Sequence, residues 1–557
     1  MRLHWSIWIA PVTLLVLALV IALRPLPESG RSSALPPDDA LARLSAAERG
    51  LFYFVAGDYG AISMDSLERS AIPFRLVATL LTLHHVEGDA AAADADSLRA
   101  AFQTWGLMSP RQIANWPDHL DPPVLSAPLG LTTAPVGPGM PPVRVEGANL
   151  NCAFCHASPA YDASGRPDPR SAWLGVPNAS INLEGYLDAV YSAFQTQADH
   201  PELFEVMRRL FPQITFQEEL TLRYFVLPMA RTRMAELEAT TGRALPYSGG
   251  FPGATNGLDP MMARLGMLPD GHVVALSPFN SIPNLDGREF RTRFLNSGIY
   301  AVRGDDDPDR VLEAEDITPD HLDAMGAIAA YFTVPSMGLS MEEAGAIIPQ
   351  AQSALHLLAQ LDTPAFPGPI NRARAADGFA LYQQACAHCH GDYAVAGEGY
   401  ELVRYPNTLH DVGSDRVRLD LVDQTVIDAL MATSMADWVE AQVSQGYAAP
   451  PLNGIWASAP YLHNGSVPTL AHLLDPETRP VQFEAGGHDL DFDRVGLDVV
   501  ETAPGVWRQP RDQGEPWSRP VMIDTRAPGM GHHGHEAEFS NLTAEERLRL
   551  IEFMKSI

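Results

Sequence analysis

Two short stretches constrain this chain more than anything else in it: Cys152-Ala153-Phe154-Cys155-His156 and Cys386-Ala387-His388-Cys389-His390. Each reads C-x-x-C-H, and together they use all four cysteines of the 557 residues. In this spacing the two thiols can form thioethers to the vinyl groups of a haem, and the histidine that follows can reach the iron as its proximal ligand. Histidine is 18 of the 557 residues, so a chance histidine behind both pairs is expected roughly one time in a thousand, given the pairs. The competing readings are a redox dithiol, a disulfide and a structural zinc. Zinc takes four ligands, and neither motif has a further cysteine or an H-x3-5-H in register near it. A disulfide leaves both trailing histidines without a purpose. The sequence therefore implies two covalent haem c groups, one on Cys152, Cys155 and His156 and one on Cys386, Cys389 and His390.

A chain of this length is expected to hold two or three domains. Its 46% hydrophobic content supplies a packed core. The formal net charge of −30 makes nucleic acid and anionic membrane surfaces poor partners. It suits a basic redox partner such as a small basic cytochrome, and equally a soluble exported protein with no such partner. At the N-terminus, Trp5 to Leu23 is apolar except for Ser6 and Thr13 and follows Arg2 and His4. That is long for the core of a signal peptide and enough to span a bilayer, and Arg24, Pro25 and Pro27 follow in place of an A-x-A cleavage site. Residues 1–27 are expected to form a transmembrane anchor, with the bulk of the chain on the periplasmic side of a bacterial inner membrane. A cleaved signal and secretion to the periplasm is the alternative.

The rest divides into an N-terminal helical and loop extension at 28–140, a haem domain at 141–361 and a C-terminal cytochrome c domain at 362–557. Apolar residues repeat at three and four in Leu44, Ala47, Leu51, Phe52 and Val55, and again over 72–85, 183–194, 216–233, 321–332 and 341–361, which predicts helices there. Proline density over 117–142 predicts irregular loop, with a short extended piece at Val143 and Val145 just before the first motif. The run from Asp362 to Pro369 excludes helix. Asn371 is a good N-cap for the next helix, which presents Ala375, Phe379 and Tyr382 on one face and delivers Cys386 at its end. Gly391 suits the exit. Further helices are expected at 421–431 and 543–557. Little strand pattern is visible, so the expected fold class is mostly α: two cytochrome c-like haem domains with long irregular loops behind one transmembrane helix.

Residues 362–390, running into the second motif, resemble the segment before the C-terminal haem of the exported di-haem cytochromes that include the bacterial di-haem peroxidases and the rubber oxygenases. The loop Pro451-Leu452-Asn453-Gly454-Ile455-Trp456-Ala457-Ser458-Ala459-Pro460-Tyr461-Leu462-His463-Asn464-Gly465-Ser466-Val467-Pro468-Thr469-Leu470 is similar to the same loop of the rubber-oxygenase branch. Arg479-Pro480, Phe483 and Val495-Gly496 resemble that branch as well. The likeness is close over about 360–557 and loose over 140–360. The N-terminal half lacks several tryptophan-containing stretches of the rubber oxygenases, so the resemblance implies no substrate.

An iron closed by a second His or Met transfers electrons, whereas an open position can take dioxygen or peroxide. Met530-Gly531-His532-His533-Gly534-His535-Glu536 resembles the G-H-E segment that supplies a distal histidine to the C-terminal haem. The match falls on His535, with Met530, His532 and His533 as competitors. His463 reads as a residue packed near the haem or its propionates. For the first haem His200, His272, His321, Met229, Met261, Met262, Met267 and Met337 are all candidates, none in a compelling motif. The resemblance implies aromatic residues there in place of a protein ligand, and Phe279 and Phe294 fall in the corresponding region, with packing in an ordinary core as the alternative. The expected function is that of a haem-dependent oxidoreductase, peroxidase- or oxygenase-like. It has a low-spin C-terminal haem and a reactive N-terminal haem that uses a small oxidant. The rivals are an electron carrier with two closed haems and a membrane-held haem sensor.

Overall fold

A computed structural model describes residues 31–58, 72–137, 144–240, 242, 247–267, 278–336, 339–512 and 514–557. The segment Trp5 to Leu23, Val143, and the ligand candidates His272 and Met337 lie outside the described residues.

Three apolar clusters carry the fold. The first is built on helices Ala46–Ala56, Pro319–Ser336 and Met341–Leu358, which pack on one another. Ser45 and Ser340 start two of these helices with capping boxes to Glu48 and Glu343, each satisfying two otherwise orphaned backbone donors. Val55, Ile328 and Val334 are fully buried between the helices. The second cluster surrounds helix Phe74–His85, packed on Leu183–Gln197 and Leu203–Leu210. The helix expected over 216–233 is present in three pieces: Phe216–Thr221, a π turn at Leu222–Val226, and Leu227–Thr240.

The third cluster holds the C-terminal half. Helix Arg372–Ala385 is N-capped by the side chain of Asn371, which accepts from Arg374 N–H, and it ends at Cys386. It crosses the last helix, Ala544–Met554. Gly378 sits at the crossing, where a Cβ would collide with the carbonyl of Arg549. Only a residue without a side chain allows that approach. Around it Phe379 and Tyr382 lie against Phe553, with ring centres 5.4 and 4.9 Å apart.

The expected mostly α class is corrected by the structure, which is 40% helical and 17% strand. The strands form many small sheets of two to four. Most are too short to show alternation, and several pair with partners remote in sequence. Leu131–Val136, inside the stretch expected to be loop, pairs antiparallel with Val145–Leu150. Ala157–Tyr161, immediately after the first motif, pairs with Pro167–Leu174. The transmembrane part of the expectation is not carried by the observed fold either. Among the described residues no helix is long and apolar enough to cross a membrane.

Two pairings cross residue 362. Tyr300–Val302 pairs with Val439–Ala441, and Val311–Glu313 with Gly399–Pro406, both antiparallel. These ladders bring the segment 278–313 against the C-terminal half, and that contact positions the site.

Candidate functional site

The turn that carries the second motif leaves helix Arg372–Ala385 through Cys386 and closes as helix Ala387–His390. Gly391 follows with φ of 94°, a left-handed conformation that costs glycine nothing. The turn opens onto a cleft of about 1480 Å³ of empty space, lined by Cys386, Cys389, His390 and His535 among others.

His390 is held through one nitrogen. Its Nδ1 lies 2.8 Å from the carbonyl oxygen of Pro450. A carbonyl only accepts, so Nδ1 carries the proton and Nε2 keeps its lone pair for a metal. Burial pushes the imidazole pKa down to about 4, helped by the neighbouring His535, so the ring is neutral at physiological pH. His156 is arranged in the same way. Its Nδ1–H donates to Pro283 O at 3.0 Å, and burial takes its pKa down to about 4.

His535 faces His390 across the cleft, with ring centres 6.2 Å apart and planes at 32°. Two imidazoles that ligate one metal from opposite sides, each at about 2 Å, have ring centres roughly 6 Å apart. The observed spacing is that of a pair with room for one iron between them. The loop bearing His535 is fixed from several sides. Arg479, its side chain 1% exposed, donates to the carbonyls of His532 at 2.6 Å and Gly534 at 2.9 Å and to the Glu536 carboxylate at 3.1 Å. Fully buried Asn464 donates to the carbonyls of Gly529 and Gly531, each at 3.0 Å. His535 N–H donates to Val412 O at 2.9 Å, and its ring stacks on Phe539. Of the four residues in competition, His535 lines the cleft. Met530 is buried in the C-terminal apolar cluster, and His532 donates from Nδ1 to Pro480 O at 2.9 Å.

None of the four cysteines forms a disulfide. Burial raises Cys155 and Cys386 to about 12, and it raises Cys389 as well. The paired histidines, the cleft and the thiol positions fit a haem bound through Cys386 and Cys389.

The first motif is a single turn, Cys152–Cys155, delivered by strand Val145–Leu150 where the second is delivered by a helix. Asn151 caps it, accepting from Ala153 N–H while its Nδ2 donates to Val55 O and Thr132 Oγ1, each at 2.9 Å. His156 O accepts from Gly175 N–H and Cys155 O from Asn178 N–H. Two of the ligand candidates for this haem are engaged elsewhere. His200 donates from Nε2 to Gly88 O and accepts at Nδ1 from Glu202 N–H. His321 donates from Nε2 to Glu289 O. The Met261 sulfur accepts from Tyr300 O–H, Met262 and Met267 pack against the first cluster, and Met229 is exposed. Phe279 and Phe294 are not brought together. Phe279 packs edge-on against Phe251 in the C-terminal cluster, and Phe294 packs against the first cluster.

His463 lines the cleft of the second motif, stacked on Tyr447 at 4.1 Å, and among the described residues its Nδ1 has no hydrogen-bond partner. Sequence reasoning missed the far wall of this cleft. Ser281, Pro283, Asn284 and Arg288 come from the expected N-terminal haem domain, yet they line the cleft beside His390. No local pattern announces that contact.

Residues 446–484, the loop that carries Pro450 and His463, match the family described as RoxA-like, cytochrome c-like. An uncharacterized protein, y4iM, of Sinorhizobium fredii (strain NBRC 101917 / NGR234) is 28% identical over 232 residues, covering 35% of this chain and 47% of that protein. A second from the same organism, y4iJ, is 27% identical over 254 residues, covering 34% and 40%. The chain spans less than half the length of these curated relatives. The family match supports the rubber-oxygenase and di-haem cytochrome superfamily for the C-terminal region. A cytochrome c-like domain there implies bound haem c and a cytochrome of an oxidoreductase superfamily.

Proposed function

We propose that this protein is an exported di-haem c-type cytochrome acting as an oxidoreductase, with one haem at each C-x-x-C-H site. The observation that carries the reading is the shared anchoring of the two proximal histidines. His156 and His390 each give Nδ1–H to a proline carbonyl, Pro283 O or Pro450 O, and keep Nε2 free. A neutral imidazole fixed in that tautomer is a metal ligand poised to bind. The cysteine pairs hold the haems covalently, and the protein loads them after export to the periplasm.

The two sites have different work. At the second, His390 and His535 would together hold the iron, the ligand set of an electron-transferring low-spin centre. Arg479 and Asn464 position His535. At the first, His156 would hold the iron with no second protein ligand, which would leave it accessible to dioxygen or peroxide; Phe294 packs against the first apolar cluster, while Phe279 lies in the C-terminal one. When bound, haem c supplies the redox chemistry, while the chain sets ligation, dielectric and access. The acidic surface accepts a basic redox protein as electron partner.

The closed pair at the second site serves an electron carrier equally well, so the first site decides between the two readings. Carbon monoxide added to the reduced protein is expected to bind one haem of two. His156→Ala removes that binding and leaves the spectrum of the other haem. Two reduced haems that both ignore carbon monoxide establish the electron carrier instead.

A further inference from the structure

The wall between the two C-x-x-C-H sites holds a cation with no counter-charge. Arg288 lies in a short 3-10 turn, Arg288–Phe290. Its Nε donates to Asn284 O at 3.0 Å. Among the described residues its two terminal nitrogens have no hydrogen bond and no ion pair. The groups acting on its charge are the Arg291 guanidinium, which opposes it, and the Tyr405 phenol. The accessible face of Arg288 lines the same cleft as Cys386 and His390. Its charge also reaches the His156 ring, which hangs from Pro283 on the same wall. A half-buried guanidinium without a partner is costly, and its planar fork of donors suits a carboxylate. The two polar side chains just before it on this wall are already committed. Asn284 donates to Thr363 Oγ1 at 2.8 Å, and Asp286 accepts from Asn453 Nδ2 and from Thr363 N–H. These bonds fix the wall and leave Arg288 as the open donor.

We propose that Arg288 binds a propionate carboxylate of the C-terminal haem and raises the reduction potential of both haems from the wall they share. This rests on the two-haem reading above. A positive charge near an iron favours the electron-richer ferrous state, so its removal favours the ferric state. The shared position makes the effect reach both centres, and the larger effect falls on the second.

The test is spectroelectrochemical titration of the haem-loaded protein, with covalent haem counted by pyridine haemochrome. Arg288→Gln is expected to keep two haems per chain. It lowers the potential of the C-terminal haem by a factor of about ten in the ferric/ferrous equilibrium, or about 59 mV for one electron, and that of the first haem by less. Arg288→Lys retains charge without the fork and recovers most of the shift, which separates charge from packing. If Arg288→Gln loses haem, Arg288→Lys alone carries the test through a smaller shift in the same direction. Because the carboxylate belongs to the haem, the shift is independent of added acetate. A shift that appears only with acetate assigns the site to a diffusible anion and overturns the proposal. Two loaded haems with unchanged potentials also overturn it and leave the two-haem reading standing. A wild-type chain without covalent haem at Cys386 and Cys389 overturns both.

Discussion

His535 stands across the cleft from His390 in a left-handed backbone conformation, with φ of 64°. A residue other than glycine adopts that conformation at a cost of about 1 kcal/mol or more, sustained only where the surroundings fix it. The bonds from Arg479 and Asn464 to the loop on either side do so.

His535→Ala is expected to convert the low-spin signal of the second haem to high-spin in electron paramagnetic resonance, with haem content unchanged. His532→Ala and Met530→Ala are expected to leave that signal intact, because one ring is committed to Pro480 O and the other side chain to the core. Conversion by either of these in place of His535→Ala moves the ligand.

Arg479→Met is expected to destabilise the protein by about 2–4 kcal/mol, since several buried carbonyls lose a charged donor at once. The same variant loosens His535, so part of the low-spin signal becomes high-spin at room temperature. Urea unfolding followed by fluorescence and by the haem Soret band measures both. A loss of stability without a change of spin state separates the clamp from ligand positioning.

Stability is expected to fall as pH drops from about 6.5 to about 4. Burial takes His472 and His488 down to about 4 in the folded chain, while the unfolded imidazole titrates near 6.5. In that window the unfolded state binds more protons, so acid favours unfolding by up to about 1.4 kcal/mol per pH unit for each histidine. Above pH 6.5 both states are neutral and the dependence vanishes. Denaturation midpoints at pH 7 and pH 5 measure the slope, and His488→Gln is expected to flatten it.

Gly378→Ala is expected to cost about 1–3 kcal/mol through overpacking at the helix crossing. Thermal unfolding of the haem-loaded protein reads this as a lower midpoint. An unchanged midpoint means that the two helices can part without loss.

The helices that begin with a side-chain cap and keep a long apolar period were readable in advance. Asn371 before Arg372–Ala385 and Thr543 before Ala544–Met554 signal their own start and bury one face. The strands were not readable. Gln112–Ile113 is two residues long and pairs with Ser171 and Ala172, so no periodicity marks it. That Cys386, Cys389, His390 and His535 belong together, as they do in lining one cleft, was legible because motif and resemblance are local. Arg288 was not, since a sequence shows that an arginine exists but not which cavity receives its charge. The same holds for Pro283, whose carbonyl meets a histidine 127 residues away.

The ladders Tyr300–Val302 with Val439–Ala441 and Val311–Glu313 with Gly399–Pro406 also stitch the two halves of the chain into one unit. A chain cut between 361 and 362 exposes unpaired strand edges on both fragments, which invite aggregation. Neither half is therefore a portable module.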